Sequence, residues 1–113
     1  MSRRSAGAAR LVRAAPVFAA LGDETRLALV TRLCAGGPQS IARLTSGSSV
    51  SRQAITKHLG VLAEAGLVRD VRRGRERVFD LDTARLDAAR RCLDQISQRW
   101  DEALARLARL VEE

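Results

Sequence analysis

Between residues 83 and 111 two interleaved heptad rows run without a break. Leu86, Leu93, Trp100 and Leu107 make one, and Ala89, Ile96, Ala103 and Leu110 the other. Residues seven apart return to one side of an α-helix, so the rows form a seam along a single helix of roughly 43 Å. Asp82 is placed to cap its start. A chain of 113 residues makes one domain with a modest core, too small to cover a stripe of that length. A partner helix is implied. Arg85, Arg90, Arg99 and Arg106 flank the seam without matching acids, while Leu104 and Val111 widen its apolar face. That pattern argues against a simple parallel zipper. It favours an antiparallel or crossing homodimer that also uses the first helix, through Val17, Phe18 and Leu21. The alternative keeps Trp100 in the core of one subunit.

The rest of the chain divides at its glycines and prolines. Residues 1–8 read as a flexible basic tail and 9–113 as the folded domain. Pro16 suits the first position of a short helix that runs to Leu21, with another turn possible from Ala8. Asp23 caps a second helix with Leu27, Val30 and Leu33 on one stripe and Leu29 beside it, stopped by Gly36, Gly37 and Pro38. A short third helix spans about 40–46, with Ile41 and Leu44 inward. After the turn 46–49, Ser51 caps a fourth helix whose apolar face is Ile55, Leu59 and Leu62, ending at Gly66. The pattern then becomes that of a two-stranded hairpin, about 68–73 and 76–81, turning at Gly74. The expected fold is mainly α with a small β-hairpin, in the order α-α-α-α-β-β-α. It comprises a helix-turn-helix over 39–66, a wing over 67–81 and a long dimerisation helix over 83–112.

The outward residues say what such a frame could touch. Ser51, Arg52, Gln53, Thr56 and Lys57 sit on the outer N-terminal part of the fourth helix and are of the kinds that read base edges. Gln39, His58 and the wing residues Arg72, Arg73, Arg75 and Arg77 are candidates for backbone phosphates, with a packed structural role the other reading of His58. Charge collects in the same places. Residues 1–13 hold four Arg and no acid, and residues 38–81 hold eight basic against four acidic residues, whereas 82–113 are slightly acidic. A chain with net charge +7 so distributed suits a polyanion, namely double-stranded DNA. A solvated hairpin, with Arg chosen for solubility, is the plainer reading of the wing.

These stretches resemble the ArsR/SmtB family of bacterial winged-helix repressors over about residues 16–111. The segments LGDETRLALVTRL (21–33) and SVSRQAITKHLGVLAEAGLVRDVRRGRERVFDL (49–81) carry the likeness. The resemblance implies a homodimer, paired through its first and last helices, that represses from an imperfect palindrome. It does not extend to the family's metal sites. The region that holds a Cys-x-Cys pair in the sensors reads Pro38-Gln39-Ser40-Ile41-Ala42-Arg43, and the last helix contains no histidine. No metal or cofactor is therefore expected. Ser48 stands where the family has an apolar residue, so the run 46–49 is expected to loosen the turn.

Other functions find less support. No Ser/His/Asp or Cys/His grouping, paired carboxylates or glycine-rich phosphate loop points to an enzyme. Cys34 and Cys92 have no metal-site spacing, although a thiol-responsive repressor using the two remains an alternative. Another is a winged helix that pairs with proteins and leaves DNA alone. No run reaches the roughly 18 apolar residues of a membrane span, and the arginine-rich start resembles a transit peptide only superficially. A cytoplasmic protein is the expectation, with its effector unspecified.

Overall fold

The computed structural model describes residues 3–112, with side chains from residue 12 onward. The elements run α1 (Arg3–Leu21), α2 (Glu24–Gly36), β1 (Gln39–Ser40), α3 (Ile41–Ser46), α4 (Arg52–Glu64), β2 (Val68–Arg73), β3 (Glu76–Leu81) and α5 (Thr83–Glu112). This is the expected winged helix-turn-helix, with two differences in its elements. α1 begins at Arg3, so the tail expected over 1–8 is helical from that residue, and Pro16 lies inside the helix instead of opening it. A two-residue strand, β1, was not expected. It pairs with β3 through Gln39↔Phe79 and Ser40↔Val78, giving an antiparallel sheet in the order β1-β3-β2. Two residues are too few to show a period, and their pairing is made with a segment forty residues away.

The helix ends follow from local chemistry. Asp23 accepts the amide of Arg26 at 3.0 Å, Ser40 that of Arg43 at 3.2 Å, and Ser51 that of Ala54 at 3.2 Å. α4 closes with Gly66 in the left-handed region at φ 77°, where a side chain other than glycine is strained. The Leu67 amide then donates to the Leu62 carbonyl at 2.9 Å, and the Gly66 amide to that of Ala63 at 3.0 Å. Both leucines are fully buried, so the cap also seals the core. The hairpin turns through Gly74 and Arg75, and Gly74 at φ 62° supplies what the first position of a type II′ turn requires.

One core joins these elements. Leu29, Val30 and Leu33 of α2 and Ile55, Leu59 and Leu62 of α4 meet Leu44, Leu67, Val68 and Phe79. Burying each such side chain contributes about 1.5–3 kcal/mol. Leu27, expected on the buried stripe of α2, is exposed; the buried set is Leu29, Val30 and Leu33. Val17 is 1 % exposed within its own chain, which removes it from the expected subunit interface, while Phe18 and Leu21 remain partly buried at the core's edge. α5 uses only its first turns here, burying Ala89 and Cys92 and resting Leu86 on the core. Beyond them Leu93, Ile96, Trp100, Leu104 and Leu107 are all exposed, Trp100 at 65 %. The alternative of Trp100 as a core residue of one subunit is thereby excluded.

Candidate nucleic-acid interface

α4 offers its first turns to solvent because its apolar residues point the other way. Ile55, Leu59 and Leu62 are fully buried, and Arg52, Gln53 and Lys57 are consequently exposed. Ser51 is exposed too, but its hydroxyl is engaged by the Ala54 amide, so it acts first as a cap. Thr56 is half-buried and donates its hydroxyl to the Arg52 carbonyl at 2.9 Å, so it can meet a base only as an acceptor or through its methyl group. Arg52, Gln53, Thr56 and Lys57 therefore form one donor-rich patch.

α3 and the turn that leads into α4 are held by polar contacts, some of them from α2. The Arg32 guanidinium of α2 donates to the carbonyls of Leu44 and, at 2.9 Å, Arg43, which end α3. It also occupies the space that a Cβ at residue 47 would need, so a side chain there would have to displace the guanidinium. The Ser48 amide donates to the Thr45 carbonyl at 3.0 Å, and the Ser48 hydroxyl accepts the Val50 amide at 3.0 Å, while Val50 packs on the core. The turn is thus pinned, contrary to the loosening expected from its composition.

Gln39, expected at the phosphates, faces inward, and so does His58, which takes the packed structural role that was its other reading. Gln39 is buried, its side-chain amide donating to the Arg32 carbonyl at 3.0 Å. His58 lies against α2, its Nδ1 3.3 Å from Arg26 Nη1 and 3.8 Å from Asp23 Oδ2. Arg26 Nε in turn donates to the Ala20 carbonyl at the end of α1, at 2.6 Å. Gln39 and His58 hold helices in place. Arg26 and Arg32, the arginines that do the same from α2, were given no role by the sequence. Their signal was that both lie in the segment 21–33 that carries the family likeness.

The wing's arginines are sorted by register. Arg72 lies directly opposite Arg77, on the sheet face shared with Phe79, while Arg73 lies opposite Glu76 on the other face. Arg77 Nε donates to Asp70 Oδ2 at 2.7 Å, and its guanidinium carbon stands 5.3 Å from the centre of the Phe79 ring. Arg75 is in the turn and exposed. The four thus divide into Arg72, Arg75 and Arg77 toward the helices' side or the tip, and Arg73 on the outer face.

Elsewhere the residues offer less. Cys34 is exposed and Cys92 buried, both as free thiols, so Cys92 sits where a thiol packs as a small hydrophobe. Among the described residues no three metal-ligating side chains come together, and no helix is long and apolar enough to cross a membrane.

Comparisons with known proteins agree with this geometry. Residues 21–71 match a helix-turn-helix domain family. The chain is 43 % identical over 93 residues to the HTH-type transcriptional regulator Rv2034 of Mycobacterium tuberculosis, spanning 82 % of this chain and 83 % of that one. It is also similar to the structure of an ArsR-like transcriptional regulator from Rhodococcus sp. RHA1. That likeness has a TM-score of 0.71 and 42 % identity, over 88 % of this chain and 92 % of the other. A homodimeric winged helix-turn-helix DNA-binding domain from Mycobacterium bovis, a possible ArsR-family regulator, superposes with a TM-score of 0.63 at 27 % identity. It covers 88 % of each chain.

Proposed function

The chain belongs to the ArsR family of winged helix-turn-helix transcriptional regulators, and on that footing we propose that it is a repressor that binds a palindromic operator as a homodimer. Such a regulator works on DNA, in the cytoplasm. α4 enters the major groove with Arg52, Gln53, Thr56 and Lys57 toward the bases, and Arg72, Arg75 and Arg77 meet the flanking backbone.

The observation that carries this reading is the uncovered seam of α5. Ile96, Trp100, Leu107 and Leu110 are between 51 % and 70 % exposed in one chain. An apolar row of that length is costly to leave in water, at about 25 cal/mol per Å². A second copy of the same helix covers it symmetrically, and that pairing sets two copies of α4 a fixed distance apart. That the similar domain from Mycobacterium bovis is homodimeric supports a two-chain particle.

A gel-shift titration combined with light scattering tests this. The account expects a particle of two chains and DNA affinity that falls steeply with salt. Binding to a different protein, with no affinity for DNA, would instead make the winged helix a protein-pairing module.

A further inference from the structure

Beside α4 lies a cleft of about 200 Å³, bounded by the start of α3, by Arg52 and by the wing residues Arg75, Glu76 and Arg77. Resting on the DNA-binding reading above, we propose that this cleft seats one backbone phosphate of the duplex, shared between the wing and Arg52, the first residue of α4, which then serves the backbone and leaves base readout to Gln53, Thr56 and Lys57.

Three features converge on an anion there. First, Arg52 and Arg77 come from different elements, one helix and one strand, yet border the same small space with Arg75. The single acid on its border, Glu76, has a strand position on the opposite face from Arg77, across from Arg73. Second, Arg77 is already oriented. Asp70 takes its Nε–H and Phe79 lies along its guanidinium, which leaves the Nη hydrogens for another acceptor. A planar fork held in this way suits a phosphate oxygen better than a mobile ammonium would. Third, Arg72 and Arg77 are directly opposed across the two strands. Like charges in that position destabilise a hairpin. Asp70 offsets part of this, and Arg72 has no acidic partner among the described residues. A phosphate arriving at the cleft supplies the missing negative charge. The seat thereby fixes the depth and angle at which α4 enters the groove. Asp70 acts as a positioning residue, working through Arg77.

Fluorescence anisotropy of a random-sequence duplex, measured at several salt concentrations, tests this with the full chain. One neutralised phosphate contributes about 0.9 to the slope of log K against log salt. The proposal expects Arg52→Gln and Arg77→Gln each to weaken binding and to lower the slope by about 0.9, with the double variant lowering it no further. Arg77→Lys keeps the charge, and so the slope, but loses affinity; it carries the test if Arg77→Gln fails to fold. Arg69→Gln, on the outer face and beside Asp80, leaves the slope unchanged. A double variant whose slope falls by about 1.8 means two separate phosphates and overturns the shared seat, while DNA binding itself stands. Wild-type protein with no salt-dependent binding would overturn the DNA reading and the seat together. Inorganic phosphate titrated at constant ionic strength provides a second arm. Failure to displace the duplex assigns the seat to the backbone phosphodiester; displacement assigns it to a free anion and overturns the proposal.

Discussion

Asp23 shows how much one side chain can be asked to do. It caps α2, and its carboxylate also stands near Arg26 and His58, where α1, α2 and α4 converge. The Arg26 amide on its oxygen, aided by the Arg26 charge, holds its pKa below the ordinary 3.8. A lowered folded pKa adds stability that is complete above the unfolded value and is lost as pH falls through the folded one. The melting temperature of the wild type should therefore drop in acid below pH 3.8. Asp23→Asn keeps a competent cap and should flatten that part of the acid limb, as a thermal melt series from neutral to acid pH would show. Gln53 tests readout in the same way. It is exposed and makes no contact that α4 needs. Gln53→Ala should leave the fold unchanged and relax preference at one base position by about 1–3 kcal/mol, measured by competition between operator and single-site variants. Unchanged preference would remove Gln53 from the readout set.

At the scale of elements, the helix-turn-helix is fastened from outside itself. Arg32 caps α3 from α2, and the turn closes around it. Arg32→Met should cost about 1–3 kcal/mol, since two carbonyls lose a charged donor, and a urea melt would report it. This fastening also explains which parts of the fold were legible in the chain. α4 and α5 each repeat a helical period over several turns, and the hairpin sets apolar residues on both sides of a tight polar turn, so each element is signalled more than once. The hairpin strands stand at 68–73 and 76–81, where the apolar residues on either side of the turn at Gly74 place them, although burial does not alternate along either strand. β1, the buried amide of Gln39 and the inward turn of His58 have no such repetition. Each depends on a partner between seven and forty residues away. A polar residue beside a recognition helix reads as a DNA contact until that partner is known. The candidate base-reading patch was legible because it is what remains of α4 once the apolar face is assigned.

For the whole molecule, the two halves of α5 divide the work. Its first turns complete the core of one chain, and the large apolar residues beyond them, from Leu93 to Leu110, stay exposed. Ile96→Glu combined with Leu107→Glu should therefore leave the far-UV signal of each chain intact, because both positions are exposed. The same pair places like charges along the seam and should reduce the particle seen by light scattering to a single chain. Operator affinity should fall with it, since one α4 then contacts the DNA in place of two.

Selection of bound duplexes from a random pool tests the central claim, that paired chains present two copies of α4 to DNA at a set distance. The account predicts enrichment of a two-fold symmetric sequence whose half-sites lie about 10–10.5 base pairs apart, or a multiple of that spacing. A pool that shows no enriched sequence, or a single unrepeated half-site, would contradict it.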